Sequence, residues 1–319
     1  MNYKKETEVF RKYELPDVQA KKPEIGIELN RVGVKNVKKL IEINRPGNRP
    51  YILMATFEAL IDLPGSRKGA DMSRNMEVID EILEIATRKK TLKIEDICRD
   101  AADLLLDRHE YTTCAEVSME AEFSVQEKTP VTGKKTQHTA VIIAKAVSTE
   151  NKKYGEIGAR ATGITVCPCS QEMMSSRARE KLFSLGLEEQ EVEDFLKEIP
   201  QAGHSQRGHA TIKFESGNLM DVNVIDLIEI ARGSMSSKMF NLAKRPDEDY
   251  MTYHAHINAM FVEDCVRKMA RKVVDEFPNL EDETIVTMMQ SNDESIHQHD
   301  AYAERISSLE KLREEIGKI

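Results

Sequence analysis

Cys114-Ala115-Glu116-Val117-Ser118-Met119-Glu120-Ala121-Glu122-Phe123-Ser124-Val125-Gln126-Glu127 alternates apolar with polar side chains from end to end. Val117, Met119, Ala121 and Phe123 share one side, and a period of two reads as a strand with one face on a core. A second strand-like run, Thr136 to Thr149, follows it. Upstream, Met76, Ile79, Ile82 and Ile85 recur at helical spacing over about 73–90, and a second helix is predicted over about 94–107. Before these, Ile25–Val32 alternates as a strand, and Tyr51–Phe57 is a second apolar run beyond turn residues Pro46-Gly47-Asn48. The order is strand-strand-helix-helix-strand-strand, an α+β arrangement.

The second half repeats this grammar loosely. A strand is predicted near Gly158–Val166, then helices over about 170–185 and 187–198. Thr211–Phe214 reads as a strand, Asp221–Ala231 and Ser234–Ala243 as helices, and about 257–275 as a longer helix. Thr284–Gln290 is a strand and Ala301–Ile316 a closing helix. No Pro/Gly/Ser linker divides the halves, so the expectation is an arm over 1–20 and two modules, 21–150 and 151–319, sharing one continuous sheet.

With 319 residues the chain can bury a large core, and 40% hydrophobic with 32% charged residues is an ordinary globular balance. A net charge of −9 argues against nucleic-acid binding, which needs a basic face. No apolar run is long enough to span a membrane and the N-terminus lacks a signal-type segment, so a cytoplasmic protein is expected. Five cysteines without framework spacing do not form a disulfide scaffold.

Three separate stretches concentrate Cys, His and Glu. In Cys167-Pro168-Cys169-Ser170, at a strand-to-helix turn, proline makes the two thiols diverge, so only one is expected to enter a given site. Two small buried residues, or half of a structural zinc knot, are the competing readings; the knot lacks its second cysteine pair. Gly203-His204-Ser205-Gln206-Arg207-Gly208-His209 reads as a polar loop in which Arg207 points to an anion. In Glu294-Ser295-Ile296-His297-Gln298-His299, alternation along an extended segment puts Ser295, His297 and His299 opposite Glu294. One imidazole there is suited to a metal and the other groups to proton transfer. Lys244-Arg245-Pro246-Asp247-Glu248 reads as the close of a helix, either a plain charged C-terminus or a carboxylate ligand beside phosphate contacts. Glu263 is either solvated or a carboxylate that accepts from guanine N1–H and its amino group, and His254 with His256 reads as surface.

Together these segments resemble the type IB GTP cyclohydrolases, closest to their archaeal, methanopterin-pathway branch. The resemblance runs from Asn30-Arg31-Val32-Gly33 to His297-Gln298-His299-Asp300, through Asp62-Leu63-Pro64, Lys68-Gly69, Met72-Ser73-Arg74 and Phe261-Val262-Glu263-Asp264. It implies tandem tunnelling-fold modules: an antiparallel sheet with helices packed on one face, closed into an oligomeric barrel. It also implies a homotetramer with GTP sites between subunits.

The implied metal ligands are Cys167, His204, Glu248 and His297, holding one Fe(II) per subunit, with Mn(II) or Zn(II) as substitutes. Cys167, Cys169, Glu294, His297 and His299 are the implied catalytic group. Glu263 would anchor guanine, and Arg207, Lys244, Arg245, Lys68 and Arg160 are the candidates for the phosphate tail. The implied reaction opens the GTP imidazole ring at C8 with formate release, giving 7,8-dihydroneopterin 2′,3′-cyclic phosphate and pyrophosphate. A triphosphate product, or another pterin or deazapurine enzyme on the same fold, is the alternative, and a non-catalytic metal-binding assembly protein is the rival from outside enzymes. Between Cys169 and His204 the chain is longer than in the bacterial branch, with a charged helical insertion over Glu188–Glu198.

Overall fold

A computed structural model of the chain describes residues 16–43, 51–88, 93–218 and 222–317. Most of the expected arm, the Pro46-Gly47-Asn48 turn and Asp221 lie outside the described residues. The strands are β1 (Leu29–Ile43), β2 (Tyr51–Leu63), β3 (Cys114–Lys128), β4 (Lys135–Thr149), β5 (Lys153–Val166), β6 (Ser205–Ser216), β7 (Ser237–Lys238), β8 (Ile285–Asn292) and β9 (Ala301–Ser308). The helices are α1 (Met72–Arg88), α2 (Ile94–Arg108), α3 (Pro168–Ser184), α4 (Glu189–Glu198), α5 (Val224–Gly233), α6 (Arg245–Ile257), α7 (Val262–Glu276) and α8 (Leu309–Gly317).

One antiparallel sheet runs β1-β2-β3-β4-β5-β6-β8-β9, with β7 paired onto β5. Its register carries the apolar alternation across every strand: Val117 opposes Ala146, Ala144 opposes Ile157, and Ile157 opposes Phe214. Directly opposed residues project to the same side. All of these are buried, and Ile79, Ile97, Leu105 and Leu227 from the helices complete the same core. The helices therefore cover one face, α2 on β3 and β4, α5 on β5 and β6, α7 on β8 and β9. The opposite face stays open and charged, with Glu116 between Arg31 and Lys145, and Glu156 against Lys213.

Three expected elements differ. Ser234–Ala243 contains the short β7 and turns instead of a helix. Residues 301–308 form β9, and only 309–317 are helical, because the β8 edge offers ladder partners from Ala301 to Ser308 that outweigh the helix propensity of Ala, Glu and Arg. Lys244–Glu248 opens helix α6 instead of closing one: Pro246 lies in its first turn, where a missing N–H costs nothing, and Asp247 caps it. No helix among the described residues is long and apolar enough to cross a membrane.

Candidate active site

The ends of β5, β6 and β8 meet at one corner of the sheet. Thr165 opposes Gln206 and Val166 opposes Ser205, and the ladder runs one step further, with Cys167 N donating to His204 O at 3.0 Å. Cys167 and His204 are thus a cross-strand pair whose side chains leave the same face, one row beyond Thr165 and Gln206. The next strand extends the row. Gly208 opposes Asn292 and Asp293 N donates to Arg207 O at 2.9 Å, so Glu294 stands opposite Gln206. Glu294 Oε2 lies 3.6 Å from His204 Nδ1, both side chains mostly buried. Three segments far apart in sequence converge on one spot.

Local chemistry explains the convergence. Cys167 is extended (φ −73°, ψ 117°) and caps α3, with Pro168 as the first helical residue. Ser170 Oγ accepts from His204 N at 3.3 Å. Gln171 Nε2 donates to Gln201 O at 2.8 Å and to His256 O at 2.7 Å, clamping the incoming loop and the end of α6 onto α3. At Gly203 a Cβ would stand 2.8 Å from Cys167 O and 2.9 Å from Val166 Cγ1, so only glycine lets this loop pass. His204 Nδ1 lies 2.9 Å from Gln206 Oε1, and Gln206 Nε2 donates to Thr165 Oγ1 at 3.1 Å.

Other expected residues border the same corner. Cys169 is exposed in the first turn of α3. Met260 N donates to Val166 O at 3.1 Å, bringing the start of α7, with exposed Glu263, against the end of β5. Glu263 opens a groove between α7, β9 and α8 that Arg267, Arg271 and Arg305 also line. In the first turn of α6, Asp247 is buried while Glu248, Lys244 and Arg245 are exposed. The Asp247 carboxylate accepts from Val131 N, Thr132 N, Thr132 Oγ1 and Lys244 N, fastening α6 to the β3–β4 turn at this end of the sheet. Burial alone would push its pKa up, but these bonds outweigh it and hold the carboxyl well below the ordinary carboxylate range. His297 and His299 are exposed on a bent segment, not an extended one, their rings stacked 4.9 Å apart.

Three of the candidate cations lie elsewhere in the chain. Gln206-Arg207-Gly208-His209 belongs to β6, not to a loop, and alternation sends Arg207 and His209 to the open face, away from His204. Arg160 is also on the open face, paired with Glu120 at 3.3 Å. Lys68 sits in the loop after β2, at the opposite end of the sheet, where its N–H donates to Lys21 O at 2.8 Å. Gln206, Thr165, Ser170 and Asp247 were not singled out by sequence reasoning. Strand periodicity through His204 would have found Gln206, and Pro246 at a helix start would have found Asp247.

Among the described residues no three His, Cys, Asp or Glu side chains are gathered closely enough to hold a metal ion. The donor types these three segments carry, a thiol, an imidazole and a carboxylate, are those that suit borderline cations such as Fe(II), Zn(II) or Mn(II).

Known proteins resemble this chain along its length. The sequence pattern of the type I GTP cyclohydrolase folE2 family matches residues 15–303. This chain belongs to that family. A GTP cyclohydrolase MptA of Haloarcula marismortui is 57% identical over 305 residues, covering 96% of this chain and 99% of that protein. One from Haloferax volcanii is 56% identical (95% and 99% covered), and one from Methanospirillum hungatei 47% identical (95% and 94% covered). This cyclohydrolase also shares its fold with a uricase from Arthrobacter globiformis, at a TM-score of 0.52 and 8% identity over 88% of this chain and 93% of that one. That similarity extends to architecture alone, the tunnelling-fold layout expected above. The enzyme is thus a GTP cyclohydrolase in which Cys167 and His204 are backbone partners and Glu294 approaches the His204 ring.

Proposed function

We propose that this cyclohydrolase opens the imidazole ring of GTP at C8 and releases formate. It then closes the pterin as 7,8-dihydroneopterin 2′,3′-cyclic phosphate with loss of pyrophosphate, on the route to tetrahydromethanopterin. The observation that carries the reading is the convergence of Cys167, His204 and Glu294 at the ends of β5, β6 and β8 in a chain of this family. The closeness to archaeal relatives over the whole length supports the cyclic-phosphate branch.

One Fe(II) per subunit, replaceable by Mn(II) or Zn(II), would be held by Cys167, His204, Glu248 and His297. When bound, it supplies Lewis acidity at the carbon under attack and lowers the pKa of water beside it. The chain does the rest. Glu294, withdrawn from solvent next to His204, takes a proton as water adds at C8 and returns it as the ring opens. His299 and the Cys169 thiol border this proton traffic. Glu263 accepts from guanine N1–H and the amino group, placing C8 within reach. Lys244 and Arg245, exposed at the same corner, meet the phosphate tail.

Lys68, Arg160 and Arg207 reach a tail only across a subunit boundary, since one chain places them at the far end or on the other face. That placement, with β1 and β9 as open edges, supports a homotetramer with sites between subunits.

The test is anaerobic incubation of Fe(II)-reconstituted protein with GTP, followed by formate assay and mass identification of the pterin. Formate with cyclic phosphate and pyrophosphate is expected. A triphosphate product overturns the branch, and absence of formate overturns the reaction.

A further inference from the structure

The ring of His204 offers two nitrogens, and the protein engages one of them. Nδ1 lies 2.9 Å from Gln206 Oε1 and 3.6 Å from Glu294 Oε2. A lone pair on Nδ1 would confront the carboxylate oxygen, which favours a hydrogen on Nδ1 donated to Gln206. Reversing the Gln206 amide would force the unfavourable alternative, a bare Nδ1 facing Glu294. The amide is also held from behind: its Nε2 donates to Thr165 Oγ1 at 3.1 Å, and Thr165 has no solvent exposure. Directly below this row the strands are tight. A Cβ at Gly208 would meet Gln290 Nε2 at 2.5 Å, Asn292 Oδ1 at 2.9 Å and Thr165 Cγ2 at 2.9 Å. Gln290 Nε2 donates to Asn292 Oδ1 at 2.8 Å, so the floor beneath Thr165 is itself a hydrogen-bonded layer.

We propose that Gln206, braced by Thr165, is a positioning residue that sets the Nδ1–H tautomer of His204 and leaves Nε2 as the nitrogen that binds a divalent cation. This rests on the reading of His204 as a metal ligand. Gln206 touches neither cation nor substrate; it acts through the imidazole, as carboxylates and carbonyls behind ligating histidines do. An acceptor at this position is what matters, so glutamate can replace glutamine and leucine cannot.

Two measurements on the full-length chain test it. The first is the ring-nitrogen NMR spectrum of metal-free, 15N-histidine-labelled protein, with His204→Ala assigning the signals. Wild type and Gln206→Glu are expected to show Nδ1–H at His204, and Gln206→Leu a mixture of tautomers. The second is Co(II) titration followed through the thiolate-to-metal absorption band. Gln206→Leu is expected to bind Co(II) about 10–100-fold more weakly. Gln206→Glu should stay within about threefold of wild type, since it keeps the acceptor oxygen. A Gln206→Leu variant with an unchanged tautomer and unchanged Co(II) affinity overturns the proposal. Equal Co(II) affinity in wild type and His204→Ala overturns the metal reading instead, and the metal-free spectrum reports separately on Gln206.

Discussion

At the residue scale, both ends of the sheet depend on side chains that are absent or uncharged. Gly203 lets the loop from α4 cross Cys167 O and Val166 Cγ1 at a distance no Cβ tolerates. Gly203→Ala is expected to cost about 1–3 kcal/mol by overpacking, read as a lower Tm, and to weaken metal binding by displacing His204. A Gly203→Ala variant with wild-type Tm and metal affinity would contradict this account. His109 is the second case. It is fully buried, with Nε2 3.0 Å from Asn75 Oδ1 and Nδ1 2.8 Å from Tyr111 Oη. Burial, with the Arg74 and Arg67 cations adding to it against Asp71, lowers its pKa from 6.5 to about 4. The folded protein therefore keeps it neutral where the unfolded chain would protonate. Its contribution to stability is complete above about pH 6.5 and is lost as pH falls toward about 4, one proton being taken up on unfolding in that window. His109→Gln is expected to flatten the fall of Tm between those values in calorimetry. An unaltered pH profile would show that His109 is not the titrating group.

At the element scale, α6 reaches the site through one carboxylate. Asp247 joins the first turn of α6 to the β3–β4 turn, and Glu248 follows it with its own side chain exposed. Asp247→Ala should lower Tm and cut kcat/KM by about 10²-fold, the scale of an ångström-sized misplacement of a site element. Glu248→Ala should abolish turnover with Tm nearly unchanged, and a reversed pattern would exchange their roles. Because the Asp247 carboxyl is held below its usual range, its support is present above about pH 3.8 and fades in stronger acid. β3 was legible in the sequence because helices cover only one face of the sheet, which alternates its burial from Cys114 to Ser124. β9 was not, because Ala301-Tyr302-Ala303-Glu304-Arg305 is good helix sequence and becomes a strand only where β8 presents an edge.

At the scale of the whole molecule, the sheet ends, among the described residues, in two open edges, β1 and β9. Unpaired edges expose backbone groups and invite another chain. Apolar side chains stand at both: Leu40, Ile52 and Met54 at the β1–β2 end, and Tyr302 and Ile306 on β9, each more than half exposed. Sedimentation is expected to show an assembly of several 36.3 kDa chains. Ile306→Lys, which puts a charge on that edge, should shift it toward lighter species and reduce GTP turnover per chain. A fully active monomer would overturn the interface reading.

What the residues determined by themselves was kind: strand or helix by the period of burial, and the candidates for metal and proton chemistry by the clustering of Cys, His and Glu. The motifs Cys167-Pro168-Cys169, Gly203-His204 and Glu294–His299 were legible because chemistry demands particular atoms, whatever holds them. Tertiary structure alone decided side and end. One residue's shift along a strand reverses its face, so His204 and Gln206 share the face of Cys167 while Arg207 and His209, one position away, do not. Register between β5 and β6 and between β6 and β8, whose partners lie far apart in sequence, is set by the packing of the whole sheet, and no local stretch of sequence contains it.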